Sequence, residues 1–325
     1  MEVTPLAAES LGVRGLAVEV SVSGTTILVD PGASLGPRRF GRLPHREEYR
    51  ALKARSEAIQ RAGSSADAIV VTHYHFDHYV PSFENWRYNW SADSLARDLF
   101  SSVHVLAKHT TEDINYSQQK RAYYFEEVCR SESKRLELAD GEAYSIGPAS
   151  LEFSPPVPHG PEDTDLGRVL MVAIHGPADT FVYTSDVQGP VVDESRDWIL
   201  DRNPDLIVAD GPPTYLSEDT FSTPSRRSAR RNLVSLAREA SLVVDHHLLR
   251  ETTYEEFLRP VREAASDAGT SVQTAAAYRG EANRLLEANR EVLHDRAPVS
   301  EEFYDRVEAG DFVDTPIPNA PHPGD

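Results

Sequence analysis

Residues 69–78 read Ile-Val-Val-Thr-His-Tyr-His-Phe-Asp-His, and they narrow what this chain can fold into more than any other stretch. Ile69-Val70-Val71 has the length and β-branching of a buried strand. It runs straight into His73, His75, Asp77 and His78. In extended backbone alternate residues share a side, so His73, His75 and Asp77 face one way and a turn must bring His78 to join them. Burying a carboxylate and several imidazoles at a strand end is costly unless something compensates them. A cation does so, and this donor set suits zinc, iron or manganese. The single cysteine, Cys129, excludes a thiolate site and an internal disulfide, so a metal must rest on His and Asp.

The chain has 325 residues, 40% hydrophobic and 26% charged, the balance of a globular protein with a full core. It contains no apolar run long enough to span a membrane and no basic-then-apolar leader, so a cytoplasmic protein is expected. A lone cysteine agrees with a reducing interior. The formal net charge is −19, and Lys53, Lys108, Lys120 and Lys134 are the only lysines. Such an acidic, lysine-poor chain resembles cytosolic proteins of salt-loving archaea, in which screening relieves self-repulsion.

The His-x-His-x-Asp-His run resembles the signature of the metallo-β-lactamase-fold hydrolases, and the other pieces of that pattern follow in order. Leu16–Val22 and Thr25–Val29 read as a hairpin across Ser23-Gly24, and the second strand ends in Asp30-Pro31-Gly32. The resemblance makes Asp30 a brace for the metal site. Ala149–Phe153 reads as a strand that leads through a proline-stiffened loop to His159, the third ligand of the family's first metal. Thr180–Thr184 ends in Ser185-Asp186, where the family has its bridging aspartate. Leu242–Val244 ends in Asp245-His246-His247. Similarity to the transfer-RNA 3′-processing endonucleases places His246 as the last ligand; His247 stays possible, with Asp245 orienting either ring.

The resemblance implies an αββα sandwich with a binuclear site at the edge between its two sheets. One domain over 1–310 is expected, with an aromatic and helical insertion at about 79–135 and a helix at about 281–294. An acidic, proline-rich tail over 311–325 should be mobile. Two divalent ions are implied, zinc preferred and iron or manganese possible. His73, His75 and His159 would hold one, Asp77, His78 and His246 the other, with Asp186 between them. A shared hydroxide would be the nucleophile, with Asp77 orienting or deprotonating it.

Further phrases, such as Asp-His-His-Leu-Leu-Arg at 245–250, resemble an archaeal branch whose membership implies no particular activity. The stretch from Asp186 to His246 is too short for the β-CASP insertion of nucleic-acid processing relatives. Three substrate readings stay open. Arg250 and the Arg226–Arg231 cluster favour a phosphodiester, in a nucleotide or single-stranded nucleic acid stacked on Trp86 or Trp90. A lactone or thioester hydrolase needs only the metals and an apolar pocket. The third is a metal-binding protein without catalysis. The aromatics at 83–90 serve either as substrate wall or as packing.

Overall fold

A computed structural model describes residues 1–311. The stretch expected to be a mobile tail lies outside these residues beyond Asp311. Two sheets form the middle of the molecule. The first has six strands in spatial and sequence order: Glu2–Pro5, Val18–Val22, Thr25–Val29, Ala68–Val71, His104–Ala107 and Arg135–Leu138. Its first three strands are antiparallel and the rest parallel. The hairpin pairs Val22 with Thr25, and Ser23 and Gly24 both turn with positive φ (49° and 88°), as a tight right-twisted hairpin requires.

The second sheet has seven strands, in the order Val272–Gln273, Ser241–Val244, Leu206–Ala209, Thr180–Tyr183, Val172–His175, Ala149–Phe153 and Ala143–Ile146. The first four of these run parallel and the others antiparallel. Val157–Pro158 and Arg168–Val169 make a separate two-stranded flap.

Side-chain alternation explains the layering. Val70 and Val29 on the first sheet meet Leu151, Tyr183, Val208 and Val243 on the second, in a core between the sheets. Ile69 and Val71 point the other way, into Leu52, Ile59, Leu99 and Phe125 on helices Arg46–Gly63, Asp93–Phe100 and Tyr116–Glu132. On the second sheet Ile207, Leu242 and Val244 bury against Leu233, Leu236, Leu258 and Val261 of helices Thr223–Glu239 and Tyr254–Ala268. The strands are apolar on both faces because the opposite sheet covers one face and helices the other, which gives the αββα order. No helix among the described residues is long and apolar enough to cross a membrane.

One expected element differs. Residues 281–289, read as the start of a helix, are irregular, and the helix there is only Arg290–Arg296. Tertiary bonds override the helical pattern: the Arg284 N–H donates to the Ser10 carbonyl (2.7 Å), and Glu287 receives both arms of Arg14 (2.7 and 2.6 Å). The sheet ends in the two-residue edge strand Val272–Gln273, after which Thr274 caps the short helix Ala275–Tyr278.

Candidate metal centre

The parallel strands of both sheets deliver their carboxyl ends to one edge, and the chemistry gathers in the loops that follow them. His73, His75, Asp77 and His78 follow Ala68–Val71; Asp186 follows Thr180–Tyr183; His246 and His247 follow Ser241–Val244. His159 arrives from the two-stranded flap. Three turns at this edge have left-handed backbone at non-glycine residues: Asp30 (φ 46°), Ser185 (57°) and His246 (45°). Each such residue costs of order 1 kcal/mol, and here they cluster where side chains must be re-aimed. Gly32 allows a close backbone approach, because a Cβ there would lie 2.3 Å from the Tyr79 nitrogen and 2.5 Å from that of His78.

Asp186 is the focus. Its Oδ2 lies 3.2 Å from His78 Nε2, 3.3 Å from His159 Nε2, and 3.6 Å from the Nε2 atoms of His73, His246 and His247. His73, His75, His159 and Asp186 form one group close enough to share an ion; Asp77, His78 and His246 form another. Carboxylates outside the focus fix the rings. Asp30 accepts from His78 Nδ1 (2.8 Å) and also from Thr72 N (2.7 Å), Thr72 Oγ1 (2.6 Å) and the Tyr183 hydroxyl (2.9 Å). Glu9 accepts from His246 Nδ1 (2.9 Å), and Asp210 from His247 Nδ1 (2.9 Å). With Nδ1 carrying the proton, each Nε2 turns a lone pair toward Asp186.

This arrangement fits a metal. His78 Nε2, both nitrogens of His159 and Asp186 Oδ1 are buried without a hydrogen-bond partner. Lone pairs facing a carboxylate repel it unless a cation intervenes. The titration behaviour asks for the same positive charge. Burial would lift Asp186, but His78, His246 and His247 hold it well below the usual carboxylate range. Burial opposes charge on His246, yet Glu9 and Asp186 push it up to about 10. Burial likewise opposes charge on His78, and Asp186 and Asp30 drive it well above its ordinary value.

Other expected residues go elsewhere. Asp245 does not orient a ring: its carboxylate accepts the backbone N–H groups of Ser10, His246 and Ala275, and so holds the chain. Arg250 does reach the centre, 3.6 Å from Asp77 Oδ2, but its donors are committed to protein, with Nε on Glu9 Oε1 (2.6 Å) and another arm toward the Tyr215 hydroxyl (3.4 Å). Trp86 and Trp90 pack edge-to-face at 5.4 Å, with Lys53 over Trp90 and Gly310 against Trp86, as parts of the helical layer. Arg226 bonds to the carbonyls of Phe221 and Leu216, Arg231 pairs with Asp193, and Arg230 lies over the Phe257 ring.

Glu9, Asp210 and Gln118 had no assigned role at the site from sequence alone. The buried Gln118 ties two ligand loops together: Oε1 accepts the Tyr74 N–H between His73 and His75 (2.9 Å), and Nε2 donates to the Leu166 carbonyl (2.7 Å). The next residue, Gly167, accepts the His159 N–H (3.0 Å). The sequence signal for Gln118 is faint: its N–H is capped by Asn115, which marks only a helix start.

A family model described as a β-lactamase superfamily domain matches residues 25–241. A UPF0282 protein of Methanopyrus kandleri is 43% identical over 294 residues, covering 90% of this chain and 99% of that protein. The chain belongs to the UPF0282 family of the β-lactamase superfamily. A second UPF0282 relative, from Thermococcus kodakarensis, is 36% identical over 317 residues and covers 98% of this chain and 99% of its own. Both organisms are archaea, so the relatives are archaeal without being specifically haloarchaeal. Among solved structures, the isothiocyanate hydrolase from Delia radicum gut bacteria superposes with a TM-score of 0.51 at 16% identity, covering 84% of this chain and 96% of that one. That likeness is one of fold. The fold of this UPF0282 protein is therefore the metallo-β-lactamase fold, with a His/Asp cluster that could hold metal at the edge of its two mixed sheets.

Proposed function

We propose that this UPF0282 protein is a metal-dependent hydrolase acting on a small phosphodiester, a nucleotide or a short single-stranded nucleic acid. The observation that carries the hydrolase reading is the convergence of imidazole Nε2 atoms on Asp186 Oδ2. His73, His75 and His159 would hold one divalent ion and Asp77, His78 and His246 a second, with Asp186 between them. Zinc is our preferred ion, and the acidic, lysine-poor composition supports a high-salt cytosol as the setting. Such ions supply water of lowered pKa and a sink for charge on a leaving oxygen.

The chain's own residues do the rest. Burial would raise Asp77, but His78, His246 and Arg250 hold it below the usual carboxylate range, so it stays ionised and able to accept a hydrogen bond that orients water. Arg250 and Glu9 keep Asp77 and His246 in place. Arg39 supports an anionic substrate. It donates to the Arg250 carbonyl (3.0 Å) and lies between the rings of Phe40 (4.9 Å) and Tyr215 (4.5 Å), with its Nε buried and unpartnered. A guanidinium stacked in this way can meet a phosphate with a free arm.

Elemental analysis of chain purified without chelator should find close to two transition metals per chain, with His75→Ala and Asp186→Ala each lowering the content. At high salt the loaded protein should hydrolyse bis-p-nitrophenyl phosphate, cyclic nucleotides or short RNA, and Asp77→Ala should cost on the order of 100-fold or more in turnover. Turnover of lactones and acyl thioesters alone would replace the phosphodiester reading. A folded, metal-free sample would overturn the hydrolase reading itself.

A further inference from the structure

We infer that His247 is an additional nitrogen ligand of this centre, so that two adjacent histidines from one turn, His246 and His247, both bind metal. The inference rests on the metal-centre reading and adds a ligand to it. His247 Nε2 stands 3.6 Å from Asp186 Oδ2, the same distance as the Nε2 atoms of His73 and His246. Asp186, His246 and His247 by themselves form a group close enough to share an ion.

Neighbouring residues on a strand point opposite ways, which would send one of the two rings out of the site. The backbone removes that obstacle. The strand stops at Val244, His246 turns into the left-handed region (φ 45°), and residues His246–Arg250 continue as a 3-10 turn. The two rings then lie side by side, with centroids 4.2 Å apart and planes inclined by 36°. Gly211 lets this turn pack closely, since a Cβ there would come 2.7 Å from the Leu248 Cβ.

The support behind His247 is built in the same way as the support behind the other ligands. Asp210 takes the His247 Nδ1 proton at 2.9 Å, as Asp30 does for His78 and Glu9 for His246. Asp210 is fully buried and is itself held by the N–H groups of Gln188 (2.8 Å) and Gly189 (3.2 Å), which follow Asp186 in the chain. A neutral ring that donates its Nδ1 proton to Asp210 carries a lone pair, not a proton, at Nε2. A lone pair is presented to a carboxylate oxygen, and a cation between them accounts for the contact.

The test uses the full chain loaded with cobalt(II), read by cobalt content per chain and by visible absorption. The wild-type chain should take up two ions. His247→Ala should weaken one of them by roughly 10–100-fold and shift the visible bands, and added imidazole should restore them. Asp210→Asn, which leaves the ring in place, should weaken the same ion to a smaller extent. Should His247→Ala fail to fold by circular dichroism, Asp210→Asn decides on the same readings. A folded His247→Ala chain that keeps both ions at wild-type affinity with unchanged bands would overturn the inference and leave the metal centre standing. A wild-type chain that binds no cobalt would overturn both.

Discussion

Glu9 shows how much of this centre depends on side chains that carry no chemical signature in the sequence. It lies in the buried turn Glu9–Leu11, where one carboxylate oxygen accepts from His246 and the other from Arg250. Removing it leaves His246 free to rotate or change tautomer, and leaves the buried Arg250 without its shortest ion pair, with Asp77 at 3.6 Å as a remaining partner. Glu9→Ala should lower affinity for the ion bound by His246 on the order of 10–100-fold while sparing the ion bound by His73, His75 and His159. Competition with a calibrated chelator measures this; equal loss of both ions, or of neither, would contradict the assignment. The clustered histidines and aspartates were legible because imidazoles and carboxylates after apolar runs form a pattern. Glu9 sits in Ala-Ala-Glu-Ser-Leu, a phrase with no such pattern, and meets His246 across a separation of 237 residues. Asp245 was misread for a related reason. Its position beside the histidines suggested a ring partner, but the left-handed turn at His246 aims its carboxylate at backbone donors.

At the scale of elements, strands were the readable part, because residues such as Val70, Val71, Val243 and Val244 are apolar on both faces. The segment 281–289 was not, since what shapes it is ion pairing with distant residues. Arg14 grips Glu287, and Arg290 grips Glu48, which also caps the helix Arg46–Gly63. Burial alone would raise Glu287, yet Arg14, with Arg250 and Arg290 beyond it, brings its carboxyl down from 4.5 to about 2. A carboxyl with a folded-state pKa below its unfolded value adds stability above the unfolded value and loses it as pH falls. The Glu287 contribution should therefore be whole at neutral pH and drain away between about pH 4.5 and 2, amounting to about 3 kcal/mol. Denaturant titrations across that window should show Glu287→Gln with a shallower acid limb than the wild type. Parallel limbs would place the acid sensitivity elsewhere.

For the molecule as a whole, the net charge of −19 sets the response to salt. Raising ionic strength from about 0.1 M to about 1 M shortens the screening length from about 10 Å to about 3 Å, which damps repulsion among the surface acids but hardly touches buried pairs such as Arg290–Glu48. The melting temperature of the metal-loaded chain should rise with potassium chloride over this range. A flat or falling curve would mean that surface repulsion is not what limits stability. The same architecture has a consequence in time. Ser10 is bonded to Asp245, Ala276 and Arg284, and Glu9 to His246, so residues 9 and 10 close on residues 245–284. At about 5–20 residues per second on the ribosome, Glu9 is made roughly 12–47 s before His246, given the 237 positions between them. Once His78 is made, the growing polypeptide carries His73, His75 and His78 with His159, Asp186 and His246 still unwritten.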